Sequence, residues 1–188
     1  SALRNGGTNV RRARQYSWGV LWFVADDAAG RYGETLAQVY RGTGRMIGFL
    51  PSGLGPGGVR TVNMFWSVRC DRAGQTDLHQ WKADVRRLTD RAEPILGQVD
   101  RIEQLIFASY QDVVMRPCHD GPVVFLGDAA HAMSPQLGQG ANLALMDAAA
   151  LAECLAASGD IRDAIVRFDQ LRRSNVGFYQ FASRWLTP

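Results

Sequence analysis

Residues 17–25 put Trp, Val, Leu and Phe on both faces of an extended segment, closed by Asp26-Asp27 and a turn at Gly30, and predict a strand. Residues 35–40 and 45–50 flank Gly42-Thr43-Gly44, which is a hairpin signal. The stretch 51–58, with four glycines and two prolines, reads as a loop. Beyond it, residues 59–68 return to alternation, with Val62, Met64, Trp66 and Val68 on one side. Hairpins in succession predict an antiparallel sheet.

The period changes at residue 77. Asp77 can cap a helix over residues 77–92 in which Leu78, Trp81, Val85 and Leu88 recur at spacings of three and four, with Pro94 and Gly97 ending it. A sheet apolar on one side must bury that side, so this helix is expected to cover it. Residues 102–115 read as one or two strands, firmest at Leu105-Ile106-Phe107, and Arg116-Pro117 breaks them. A turn at His119-Asp120-Gly121-Pro122 leads into Val123-Val124-Phe125-Leu126, four apolar residues that read as a strand buried on both faces.

The Ala/Leu run of residues 141–158 is a helix expected to be buried on most sides, with Gly159 just past its end. Asp160 caps a further helix with a stripe of Ile161, Ala164, Ile165, Phe168 and Leu171, and the aromatic tail 176–185 continues it or packs beside it. The expected fold class is mixed, α+β and α/β. An antiparallel sheet with a covering helix occupies residues 1–116, and a strand with helices occupies residues 117–188.

At 188 residues and 46% hydrophobic, the chain can build a real core and is neither disordered nor fibrous. No apolar stretch reaches the roughly 20 residues that a bilayer needs, and no charged-then-apolar leader with a small-residue cleavage site stands at Ser1, so a cytoplasmic protein with no membrane partner is expected. Cys70, Cys118 and Cys154 are an odd number without a close pair, which fits a reducing compartment. Cys118-His119 and His131 lack metal-ligand spacing, so no metal site is expected. The net charge is +3 with a sequence pI of about 9.0, and arginines cluster at 11, 12 and 14 and again at 86, 87, 172 and 173. Without interleaved aromatics such runs are solvated faces rather than a nucleic-acid site. The glycine patterns at 42, 44 and 48 and at 53, 55 and 57 are followed by strand-like sequence, not by the helix a dinucleotide loop requires, and are read as turns.

The chemistry concentrates between residues 123 and 142. A strand ends in Gly127-Asp128, a turn-rich segment follows with Pro135, Gly138 and Gly140, and a helix opens at about Asn142. A carboxylate at the end of a strand, facing the bare N–H groups of a helix N-terminus, suits a ligand with hydroxyls and a partly anionic face. Taken singly, each residue also has a plain structural reading: Asp128 as a turn cap, Asn142 as an N-cap, the glycines as punctuation.

The ordered string Gly127-Asp128-Ala129-Ala130-His131, Pro135, Gly138-x-Gly140-x-Asn142 and Asp147-Ala148 resembles the second flavin-binding fingerprint of the FAD-dependent aromatic hydroxylases, the para-hydroxybenzoate hydroxylase-like monooxygenases. By that resemblance Asp128 accepts a hydrogen bond from a ribityl hydroxyl of FAD, Gly138 and Gly140 let the backbone approach the flat ring, and the amides from Gly140 to Asn142 face its pyrimidine edge. The resemblance makes residues 1–116 a substrate domain and residues 117–188 the C-terminal part of a Rossmann-like FAD-binding domain, with an implied cofactor-binding set of Gly127, Asp128, Pro135, Leu137, Gly138, Gln139, Gly140, Ala141 and Asn142. Ser1 and Arg4 resemble the end of another family segment that precedes the substrate domain.

The family also needs an N-terminal glycine-loop unit for the FAD pyrophosphate, and no Gly-x-Gly-x-x-Gly followed by a helix occurs here, so a fragment that holds FAD weakly by itself is expected. Strand 123–126 would then lack parallel neighbours, which invites association with another chain, a homodimer included.

For the intact enzyme the resemblance implies that NADH or NADPH reduces the flavin and that O2 adds to give a flavin hydroperoxide, which hydroxylates an aromatic substrate. Trp22, Phe49, Met64 and Trp66 are candidates to line the substrate cavity, against the reading that they are ordinary core. No catalytic side chain is assigned. A reductase or oxidase of the same fold, and a non-catalytic binding or scaffold domain, remain as rival readings.

Overall fold

The structure, a computed structural model, describes residues 9–187; Ser1 and Arg4 lie outside the described residues. It is a mixed α/β chain whose main sheet holds β1 (Val10–Asp26), β2 (Ala37–Arg41), β3 (Arg45–Leu54), β4 (Arg60–Arg69) and β5 (Ile106–Met115) in the order β2-β3-β4-β1-β5. The β2–β3, β3–β4 and β1–β4 pairs are antiparallel. The first hairpin turns at the predicted glycines, with Arg41 opposite Arg45 and Gly42 at φ 63°.

Alternation along β4 decides which face is core. Val62, Met64 and Trp66 are buried, as are Ile47 and Phe49 of β3, and they pack against Trp81 and Val85 of α1 (Leu78–Leu88). Each such side chain, fully buried, contributes about 1.5–3 kcal/mol. Asp77 caps α1 as expected, its carboxylate accepting from the Gln80 N–H at 2.9 Å.

Three boundaries differ from the sequence reading. α1 ends at Leu88, where Thr89 turns extended and caps a 3-10 turn, and Pro94 then opens α2 (Glu93–Leu96) instead of closing the first helix. Proline is tolerated in a first turn, where its missing N–H would be unpaired anyway. β3 runs on through Pro51 to Leu54, because the β2 register stops at Ala37 opposite Phe49 and Pro51 lies where β3 has become an edge. β1 starts at Val10, in a stretch whose exposed arginines hide the strand.

The described residues form two compact units: Ser17–Ser109 is one, and residues 9–16 with Tyr110–Thr187 are the other, the chain passing from one to the other within β1 and again before β5 ends. The second unit contains the small hairpin of β6 (His119–Asp120) and β7 (Val123–Val124), then α3 (Asp128–His131), α4 (Gly140–Ala157) and α5 (Ile161–Leu186). The expected four-residue strand buried on both faces is thus a two-residue strand paired antiparallel to β6, with Val123 exposed and Phe125 buried. A strand needs ladder partners on both sides to be buried, and among the described residues β6 alone pairs with it.

α4 is not buried on most sides. Leu143, Asp147 and Cys154 face inward, while Leu145, 72% exposed, and Met146 and Leu155 face out. An alanine-rich helix has no strongly directional pattern, and its main neighbour, α5, takes one face. By length and composition alone α4 would also pass for a membrane span, a property it shares with core helices of soluble proteins.

Asp160 caps α5, accepting from the Arg162 N–H at 2.6 Å, and the aromatic tail continues this helix. Its inward face keeps Ala164, Ile165 and Phe168 of the expected stripe but leaves Ile161 and Leu171 exposed, then turns polar with Asp169, Arg172, Gln180 and Ser183. Asp169, Arg172 and Gln180 are paired, whereas the Ser183 hydroxyl is buried without a hydrogen-bond partner among the described residues. Gln180 Nε2 donates to the Val113 carbonyl at 2.5 Å, and the buried Asp112 holds Arg12 and a bidentate Arg184, both nitrogens at 2.8 Å.

Candidate functional site

The turn after β7 carries the site. Gly127 stands at φ 52°, ψ −138°, a conformation open to glycine, and a Cβ there would lie 3.0 Å from the Ala144 Cβ of α4. Glycine therefore lets the turn lie directly on the helix. Asp128 follows as the first residue of α3, its side chain exposed.

The second half of the site is the loop into α4. Pro135–Leu137 form one 3-10 turn closed by Gly138 at φ 62°, whose N–H donates to the Pro135 carbonyl at 2.9 Å. Gln139 is the N-cap residue of α4 and makes no side-chain cap bond; the Asn142 amide donates instead to Gln139 Oε1 at 2.9 Å. The N–H groups of Gly140, Ala141 and Asn142 are among those a helix leaves without intrahelical partners.

The two halves meet. A Cβ built on Gly140 would sit 3.9 Å from Asp128 Oδ1, so the exposed carboxylate lies over the first turn of α4. Carboxylate acceptor, bare helix N-terminus and the two glycines, where a Cβ would meet nothing nearer than 3.9 Å, border one open strip, the groove, which can take a flat ligand that offers hydroxyls on one side and gathers negative charge on another. The residues present fit the ring and ribityl part of a flavin. Leu137, half-buried, and the exposed Pro135 flank this loop.

Behind the groove lies a buried ionic cluster. Asp147 on α4, 1% exposed, accepts from the Gly127 N–H at 3.0 Å and faces His131 Nε2 at 2.5 Å through one oxygen, and accepts from Arg172 Nε at 2.8 Å through the other. Burial would raise its pKa, but the bonds from His131, Gly127 and Arg172 outweigh that and hold it below the ordinary carboxylate value. The sequence reading took Arg172 and Arg173 as a solvated pair. Only Arg173 is exposed, reaching Asp169 at 2.5 Å. One signal was available for this cluster: an aspartate in an Ala/Leu helix needs a partner when that helix packs. A cavity of about 40 Å³ opens beside the cluster, lined by His131, Asp147, Asp169, Arg172 and Cys118 among others, and has room for little more than a water.

Three of the four substrate-cavity candidates meet in one core cluster, and Trp22 stands apart. Phe49, Met64 and Trp66 lie in the core under α1, and Phe49 and Met64 have no exposed surface; Trp22 pairs in register with Phe65 and points to the opposite face, 39% exposed. The plain core reading holds for the first three. The period of two that put them on one side of the sheet also put them on its closed side.

The profile of the FAD binding domain family matches residues 8–162. The chain belongs to that family. Among curated relatives, the chain is 49% identical over 61 residues to a kynurenine 3-monooxygenase of Xanthomonas campestris, a match covering 32% of this chain and 13% of the relative. It is 41% identical over 99 residues to a putative 2-heptyl-3-hydroxy-4(1H)-quinolone synthase of Rhodococcus erythropolis, covering 53% and 24%. Among solved structures, Klebsiella pneumoniae HpxO complexed with FAD and uric acid aligns with a TM-score of 0.76 at 21% identity over 99% of this chain and 48% of that one. Pseudomonas aeruginosa PqsL in complex with 2-aminobenzoylacetate aligns with a TM-score of 0.74 at 20% identity over 92% and 48%. The chain thus spans about half the length of the solved proteins and a smaller share of the curated relatives it matches.

Proposed function

We propose that this chain supplies the ring-side half of the FAD site in a flavin-dependent monooxygenase that hydroxylates an aromatic or similarly electron-rich small molecule with NAD(P)H and O2. One observation carries the reading: the Asp128 carboxylate lies over the first turn of α4, in the order strand, acidic turn, glycine loop, helix. Family membership supports the cofactor, and the kynurenine 3-monooxygenase relatives support the reaction class.

Gly127, Asp128, Pro135, Leu137, Gly138, Gln139, Gly140, Ala141 and Asn142 would hold the flavin. Asp128 would accept from a ribityl hydroxyl; Gly138 and Gly140 would leave room for the ring plane; the amides of Gly140 to Asn142 would face the edge that becomes negative on reduction. When bound, FAD supplies the electron transfer and oxygen activation, while the chain's residues bind, orient and favour the reduced charge.

The test is titration of the chain with riboflavin, FMN and FAD, followed by backbone amide NMR. A ring-side half-site predicts shifts confined to Gly127, Asp128 and residues 138–142, with comparable weak affinity for all three ligands, because the adenine and pyrophosphate gain no contact here. Asp128→Ala should weaken all three equally. Shifts centred elsewhere would sink the assignment, and tight stoichiometric binding of FAD alone would sink the half-site reading.

A further inference from the structure

The loop into α4 is held by local bonds, Gly138 to Pro135, Gln139 to Leu137 and Asn142 to Gln139, none of which ties it to the Asp128 turn. What fixes the two arms relative to each other lies one layer deeper, in groups drawn from three helices. Asp147 takes the N–H of Gly127, the residue directly before Asp128. Arg172, bound to the same carboxylate, reaches the carbonyl of Leu143, the residue directly after Asn142, with Nη2 at 3.4 Å. His131, at the end of the helix that Asp128 begins, completes the set at 2.5 Å. Each member therefore contacts the backbone or helix that carries a groove residue, and all three are buried away from the groove.

We infer that His131, Asp147 and Arg172 are positioning residues: a buried lock that sets the placement of the Asp128 carboxylate over the first turn of α4, and through it the seat of the flavin. This rests on the flavin reading above. Asp147 is the centre because both of its oxygens are committed. Oδ2 serves the Asp128 turn and Oδ1 serves, through Arg172, the α4 end. A buried pair broken on one side leaves an uncompensated charge and unpaired donors, so the two arms lose their common anchor together. Arg172 is more than a counter-ion: Nε, Nη1 and Nη2 go to Asp147, Asn175 and Leu143, a spread of donors that a lysine cannot reproduce.

The experiment uses Asp147→Asn and Arg172→Lys in the full chain, with two readouts. Amide hydrogen exchange without ligand should show at least tenfold faster exchange at Gly127, Asp128 and residues 140–143, with β3 and β4 unchanged; riboflavin affinity should fall about tenfold. Arg172→Lys keeps the charge and should give a smaller change at the same amides, and it decides the matter if Asp147→Asn fails to fold. Wild-type exchange at these amides in a folded variant overturns the lock, as does faster exchange spread evenly over α4 and α5, which would mark a merely stabilising cluster. If the wild-type chain shows no flavin-induced shift, the flavin reading fails while the exchange data still decide the lock. If wild type binds and both variants bind equally well, the lock fails and the flavin reading stands.

Discussion

Gly127→Ala asks how much of the site is written into one backbone conformation. At φ 52°, ψ −138° an L-residue is strained by an amount on the order of 1–3 kcal/mol. The new methyl would also lie 3.0 Å from the Ala144 Cβ, a contact that must open by a few tenths of an ångström and costs about another 1 kcal/mol. The sum is about 2–4 kcal/mol, a large share of a domain's typical stability of about 5–15 kcal/mol. With a urea m-value of about 2 kcal/mol/M, the midpoint should fall by roughly 1–2 M. Circular dichroism is the right probe, because the unit that holds Gly127 also holds α3, α4 and α5. Ala144→Gly separates the two causes: it removes the contact and leaves the backbone strain, at a helix cost of about 1 kcal/mol by itself. The double variant should therefore stay clearly less stable than Ala144→Gly alone. A Gly127→Ala protein within about 0.5 kcal/mol of wild type, or a double variant as stable as Ala144→Gly, refutes the backbone argument.

Other outcomes follow from the same structure. Asp147 and Asp169 are both held below their ordinary value of 3.8, in each case because hydrogen bonds outweigh the burial that would raise it. Their stabilisation is fully present above that value and is lost as pH falls through the lower folded-state pKa, so urea midpoints should drop steeply only below about pH 4, and Asp169→Asn should flatten the drop. The Cys118 thiol is pushed from 9.0 up to about 12, by burial first and then by Asp169. Its thiolate fraction is then about a thousandfold below that of an ordinary thiol, and alkylation at pH 8 should label it in urea but not in the native protein. Gly19→Ala should destabilise the sheet by about 1–3 kcal/mol, since the added Cβ lies 2.5 Å from the Ala108 carbonyl oxygen, and Phe107→Ala, which clears the neighbouring ring, should not rescue it in urea melts.

What the sequence made legible was whatever is contiguous in it. Asp77 and the 78-81-85-88 spacing announced α1, Gly42 to Gly44 announced the first hairpin, and the turn at Gly127-Asp128 and the helix opening near Asn142 stand within sixteen positions of one another, so their order was readable. The misreadings share one cause. Pattern tells which face of an element is apolar, not whether a neighbour exists to cover it, and so α4 was read as buried all round and strand 123–126 as fully paired. Met64 and Trp66 were assigned to one side of β4 and the helix to the same side, and the two readings taken together already close that side.

The buried lock is the hardest case. Asp147 bonds to residues 16, 20 and 25 positions away, and no helical or strand period connects them. Arg172 differs from its neighbour Arg173 only in which side of α5 it occupies, a difference of one residue that takes one side chain into the interior and leaves the other in water. The proposed ligand-facing groups lie on two short arms close together in sequence, the turn at Gly127-Asp128 and the loop 135–142. The groups that hold the loop need only meet in space, and so they are scattered through the helices that pack behind it. A motif search therefore finds the groove and misses its support, and substitutions at His131, Asp147 and Arg172 should change the seat of the ligand without touching it.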